Sequence, residues 1–191
     1  MGRPRKFMEE EVLRCAMMTF WRLGFDATTF RELERLSGVG VRSLSNTFGE
    51  KDELFARTMK MYREMMQGML ERMFSEPQLE AIAQLFEMAV RPTEKADDIV
   101  NSGCLVVNSV FELPDMPTPV ADEVAAYRKM FVDKFRWVLE ENNIEEPHEK
   151  AEYLLGSLWG VLSQIRLAHD TTAAKPMATV VAQVVRAWKP T

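Results

Sequence analysis

The stretch Thr28–Lys51, TTFRELERLSGVGVRSLSNTFGEK, constrains this chain more than any other. Thr29-Phe30-Arg31-Glu32 fits a capping box, in which a hydroxyl and a carboxylate three residues apart satisfy two free amides at a helix start. A short helix is therefore predicted from near Phe30, burying Leu33 and Leu36. Gly38 stops it, because glycine tolerates the left-handed conformation of a helix exit. Val39 is then available to pack between helices, and Gly40 is a weak cap for a second helix. That second helix, about Val41 to Phe48, has only Val41, Leu44 and Phe48 as its apolar stripe. Two short helices joined by a glycine-containing turn make a helix-turn-helix, whose second helix suits the major groove of DNA.

The polar residues left for the outer face of that second helix are Arg42, Ser43, Ser45, Asn46 and Thr47. Arginine pairs with guanine or a phosphate and asparagine with adenine, so both kinds of contact are chemically open here. Thr28 and Thr29 stand at a helix start, where hydroxyls and free amides suit a phosphate oxygen. Ahead of the first helix, Arg3, Arg5 and Lys6 read as a flexible basic arm over residues 1–8, of the kind that lies along phosphates or enters a minor groove. The net charge of −5 is unevenly spread. Residues 1–63 carry 12 Lys and Arg against 9 Asp and Glu; residues 64–191 carry 12 against 20. A mildly basic head on an acidic body suits a protein that meets phosphates with one end only.

With these residues in view, the chain resembles the TetR (tetracycline-repressor-like) family of transcriptional regulators. The pattern is Gly24-Phe25 before Thr28-Thr29, Gly38-Val39 in the turn, and Leu44 followed by Phe48-Gly49 and Lys51 leading into a long helix. Lys51 belongs to the family's pattern and is a candidate phosphate clamp. The motif covers about the first third of the chain; the helix order and the Gly103-Cys104-Leu105 start of a mid-chain helix extend the likeness. Three positions depart from the pattern: Glu34 where a small alanine is usual, Gly40 where a capping serine is common, and Ser45 where a tyrosine normally contacts phosphate. The resemblance implies an all-α fold of about nine helices: an N-terminal three-helix head (1–51) and a C-terminal helical body for effector binding and dimerisation (52–191). It also implies a homodimer on a palindromic operator and a small-molecule effector in the body, with repression as the usual sign.

The rest of the chain reads as helices. Glu9 to Leu23 places Leu13, Ala16, Met17 and Phe20 on one stripe, with Cys15 and Trp21 beside it. Lys51 to about Phe74 carries a seam of Phe55, Met59, Tyr62, Met66, Met69 and Met73. Ser75-Glu76-Pro77 breaks it. Gln78 to Val90 follows, then a polar link, then Ile99 to Leu113 as one apolar helix with Cys104, Leu105, Asn108 and Phe111 inward. Leu113 to Pro119 is a proline-rich loop. Val120 to Glu141 and Pro147 to about Ala168 are long helices, and about Ala174 to Trp188 is the last. Gly156 and Gly160 lie on one face of the Pro147 helix, each at a helix-propensity cost of about 1 kcal/mol that close approach of another helix would explain. With Val181, Val184 and Trp188 of the last helix they are the candidate dimer interface, since a reader of two-fold DNA should itself be two-fold.

Candidate effector-lining residues are Met61, Met65, Phe86, Cys104, Asn108, Phe111, Phe131, Phe135, Tyr153 and Trp159. They suit an apolar or aromatic small molecule; the acidic body leans toward a cationic one. Cys104 near a helix start also permits a thiol sensor of oxidants or electrophiles, a second route to the same regulatory role. A third reading is a dimeric helical adaptor that has lost DNA binding through Glu34 and Ser45. No Gly-rich phosphate loop, nucleophile elbow or spaced histidine–carboxylate pair supports an enzyme. Cys15, Cys104, His148 and His169 have no metal-ligand spacing, so neither metal nor cofactor is expected. No apolar run reaches the ~18 residues a membrane span needs, and the basic start leads into Glu9-Glu10-Glu11, so a cytoplasmic protein is expected.

Overall fold

The computed structural model describes residues 3–93, 98–113 and 115–190, with the side chains of residues 3–8 left aside. Among the described residues there are nine α-helices, two short 3-10 helices and no strand. In order they are α1 (Arg3–Leu23), α2 (Phe30–Ser37), α3 (Val41–Phe48), α4 (Lys51–Met73), α5 (Leu79–Ala89), a 3-10 turn (Ile99–Ser102), α6 (Leu105–Glu112), α7 (Thr118–Glu141), α8 (Pro147–Ala168), a second 3-10 turn (Thr171–Ala174) and α9 (Lys175–Ala187). The polar link at 94–97 and Pro114 of the proline-rich loop lie outside the described residues.

Apolar periodicity decides which helix faces are inside. α1 buries Val12, Ala16, Met17, Phe20 and Trp21, a stripe turned slightly from the predicted one, with Leu13 only half-buried. α4 buries Leu54, Phe55, Met59, Tyr62 and Leu70, and its outer methionines close over the same core. The two helices join through aromatic rings, Phe20 to Phe55 at 4.7 Å and Phe25 to Phe55 at 5.1 Å between centroids. Full burial of such a side chain is worth about 1.5–3 kcal/mol, so this cluster anchors the head to the long helix. Farther along, α4 packs on α7, α7 on α8, and α9 lies along α5.

Three sequence expectations change here. α1 starts at Arg3, so Arg3, Arg5 and Lys6 belong to its first two turns rather than to an arm; their side chains are outside the description. The single helix expected over Ile99–Leu113 is two pieces separated at Gly103-Cys104. Gly103 has φ +73°, and a Cβ there would lie 2.7 Å from the Leu162 carbonyl of α8, so close backbone approach breaks the helix. α7 begins at Thr118, inside the expected loop, because proline in a first turn gives up only an amide that would be free anyway.

Candidate nucleic-acid interface and interior cavity

The head is built from α1, α2 and α3 against the start of α4. Thr29 caps α2, its hydroxyl accepting the Glu32 amide at 3.1 Å. The box is only half formed: the Glu32 carboxylate pairs with Arg35 at 2.6 Å, which holds its carboxyl below the usual carboxylate range. Leu33 is buried, whereas Leu36 is exposed, contrary to expectation. Gly38 takes the expected left-handed exit at φ 72°.

α3 buries Leu44 and Phe48, and that fixes its rotation. Arg42, Ser43, Ser45 and Asn46 are consequently exposed along one outer surface, with Thr47 half-buried at its edge. Gly40 offers no side-chain cap, and the free amide of Val41 is met instead by Glu34, whose Oε1 accepts at 3.3 Å. A carboxylate also suits the partial positive charge of a helix start. At the other end Arg57 donates to the Thr47 carbonyl at 3.4 Å, its guanidinium 5.6 Å from the Phe48 ring centroid. The turn into α4 is closed by the Glu53 carboxylate, which accepts the Glu50 amide at 2.8 Å and fills the space where a side chain at residue 49 would stand.

Two expected contact residues have other partners. Thr28 is fully buried and its hydroxyl donates to the Gly24 carbonyl at 2.7 Å, which removes it from any outer surface. Lys51 donates to the Asp26 carbonyl at 3.2 Å and sits 4.3 Å from the Phe25 ring centroid; partial burial lowers its pKa from the ordinary lysine value. Thr29 remains exposed at the start of α2. Sequence reasoning missed Glu34 and Arg57 as the groups that set α3 in place. The signal for Glu34 was its pairing with an uncapped Gly40, two departures that compensate each other.

The family model for bacterial regulatory proteins of the tetR family matches residues 12–58, the segment that forms this head. The uncharacterized HTH-type transcriptional regulator YezE of Bacillus subtilis (strain 168) is 31% identical over 117 residues, 59% of this chain and 58% of that protein. Over this segment the chain is similar to the TetR family of bacterial regulators. The HTH-type transcriptional repressor BdcR of Escherichia coli (strain K12) is 38% identical over 61 residues, 32% of this chain and 31% of that protein. These two matches thus span less than two thirds of either relative. The crystal structure of a TetR-family transcriptional regulator from Agrobacterium tumefaciens shares the fold, with a TM-score of 0.81 at 18% identity over 94% of this chain and 97% of that one.

Below the head, the chain forms a cavity of about 370 Å³. Its walls include Trp21 of α1, Tyr62, Met66 and Met69 of α4, Met88 of α5, Gly103, Tyr127 and Phe131 of α7, and Leu158, Leu162 and Ile165 of α8. Of the expected lining residues only Phe131 is among them. Phe86 and Phe135 are packed in solid core, and Asn108 is buried with its amide on the Ser102 carbonyl at 2.8 Å. Met65, Tyr153 and Phe111 are exposed, Phe111 at 71%. Met61 and Trp159 pack half-buried against the core away from the cavity, the Trp159 Nε1 lacking a hydrogen-bond partner among the described residues. Cys104 is 1% exposed and lies just behind the wall, 3.4 Å from the Tyr62 hydroxyl and 3.5 Å from that of Tyr127.

On the far side of α8 and α9 an apolar face is uncovered. Leu167 is 82% and Val180 56% exposed, with Tyr153 and Met177 alongside. Gly156 opens onto this face with nothing within 4 Å of a Cβ position. Gly160 is explained within the chain, since a Cβ would meet the Met177 Cε at 2.7 Å. Val181 is buried in the chain's own core, not on the face; Val184 and Trp188 are half-buried. Among the described residues no group of acidic, histidine and cysteine side chains forms a metal site, and no helix is long and apolar enough to cross a membrane.

Proposed function

We infer that the chain is a dimeric transcriptional regulator that grips double-stranded operator DNA through α3 and is released by a small, largely apolar effector. The observation that carries this reading is the division of α3. Leu44 and Phe48 face the core while Arg42, Ser43, Ser45 and Asn46 stand together on the outside, held by Glu34 and Arg57. A solvated surface helix needs no such bracing at both ends. Thr29 and the basic start of α1 add phosphate-binding groups, and Lys51 adds positive charge close behind. That BdcR is named a repressor supports the sign of regulation. The exposed face of α8 and α9 is the natural seat of a second copy, through Gly156, Tyr153, Leu167 and Val180. The cavity supplies the effector site, and the boundary between head and body falls near residue 51, where α4 starts. The retained polar face of α3 favours this reading over an adaptor without DNA binding, and the burial of Cys104 favours packing over thiol sensing.

Selection of bound sequences from random duplexes tests it. A two-fold symmetric consensus is expected, and Arg42→Ala should weaken binding to it by about ten- to a hundred-fold, the range of one arginine base contact. Failure to enrich any sequence in low salt overturns the reading.

A further inference from the structure

One end of the cavity is chemically unlike the rest. Its wall there is formed by the rings of Tyr62 and Tyr127, 6.1 Å apart between centroids, and both residues are almost wholly buried. The Tyr62 hydroxyl donates to the Cys104 Sγ at 3.4 Å, and the Tyr127 hydroxyl is 3.5 Å from the same sulfur. Burial, reinforced by the neighbouring thiol, pushes both phenols well above their ordinary pKa, so each keeps its proton and remains a donor. The hydrogen-bond partner found for both hydroxyls among the described residues is that sulfur, and sulfur is a weak acceptor. Cys104 is the residue just before the first turn of α6 and makes no side-chain capping hydrogen bond, so its sulfur is not engaged by the free amides of that helix start. The cluster is rich in donors and short of a strong oxygen acceptor.

We propose that the cavity takes a neutral, apolar or aromatic molecule bearing a carbonyl-type oxygen, which accepts hydrogen bonds from the Tyr62 and Tyr127 hydroxyls beside the start of α6. This rests on the reading of the cavity as the effector site. The methionines Met66, Met69 and Met88 give the remaining wall an adaptable apolar surface for the body of the molecule. A carboxylate is disfavoured, because burying it needs a cation and the one cationic lining residue described, Arg91, is exposed. The volume accommodates a two-ring aromatic compound.

Calorimetric titration with matched probes tests the assignment. 2-Acetylnaphthalene and 2-ethylnaphthalene differ by one oxygen, and 2-naphthoate adds charge. The ketone is expected to bind roughly five-fold tighter than the hydrocarbon, the effect of one net hydrogen bond. In Tyr62→Phe/Tyr127→Phe that gap should fall below about two-fold while hydrocarbon binding is retained; Tyr127→Phe alone should lie between. Equal binding of ketone and hydrocarbon by the unaltered protein overturns the proposal and leaves the cavity as an effector site. A preference for naphthoate, or a gap that survives the double substitution, overturns it in the same way. If none of the three probes binds, the effector-site reading itself fails.

Discussion

The Glu34–Gly40 pair shows how one side chain can take over a task usually done by another. A serine at position 40 would cap α3 from within the turn; here the carboxylate arrives from α2 and accepts the Val41 amide. The exchange leaves a negative charge at the start of the helix that is proposed to meet phosphates. Glu34→Ala should therefore have two opposite effects. Stability should fall by at most about 1 kcal/mol, the cost of an exposed lost cap, while affinity for duplex DNA should rise because a like charge is gone. Adding Gly40→Ser should recover the stability and keep the tighter binding. Thermal melting and gel shifts at two salt concentrations separate these terms; weaker binding by Glu34→Ala would show that the hold of this carboxylate on α3 outweighs the repulsion it brings. Ser45 offers a second test on the same surface. Ser45→Tyr should restore a phosphate contact and tighten binding without altering the selected sequence, and a shifted consensus would mean that position 45 reads bases.

At the scale of elements, the head was legible because its limits are written in local chemistry. Thr29, Gly38 and the short stripe Leu44–Phe48 are turn, cap and period signals, and α2 and α3 begin and end where those signals stand. α4 and α8 were legible for the same reason. The break at Gly103 was not, because its cause lies on α8, where the Leu162 carbonyl occupies the space a side chain would need. The cavity lining was illegible on similar grounds. Periodicity says which face of a helix is apolar, but not whether that face meets another helix, a void or a second chain. Phe86 and Phe135 met helices, Tyr62 and Tyr127 met the void, and Phe111 and Tyr153 met neither. Gly103→Ala tests the steric account directly. Strain at positive φ and the immovable carbonyl together should cost ~2–4 kcal/mol, lowering the melting temperature by about 5–15 °C. An unchanged melting curve would mean that α8 yields at Leu162 and that the break has another origin.

Across the whole molecule, the head meets the body at a few polar contacts that cluster on the end of α1. The Trp21 Nε1 donates to the Gly103 carbonyl at 3.1 Å, and the Phe25 amide donates to the Glu112 carboxylate at 3.0 Å. Arg166 of α8 pairs with Glu112 at 3.5 Å and donates to the Arg22 carbonyl at 3.3 Å. Trp21, Gly103, Leu162 and Ile165 also line the cavity, so whatever fills it presses on the residues that orient the head. In the proposed dimer this bracket sets how far apart the two copies of α3 stand, and two-fold DNA sites demand a fixed separation of about one helical turn. Glu112→Ala removes the acceptor for Phe25 and the partner of Arg166 together. A hydrogen bond to a charged group is worth about 1.5–3 kcal/mol, so the head should become free to sample other positions while each α3 surface stays intact. The variant should then bind single half-sites as the unaltered protein does. Its preference for the selected spacing over spacings one or two base pairs longer should fall by about ten-fold. Measuring affinity across a series of spacers decides the matter: a preference that stays sharp would place the control of separation in the α8–α9 face alone.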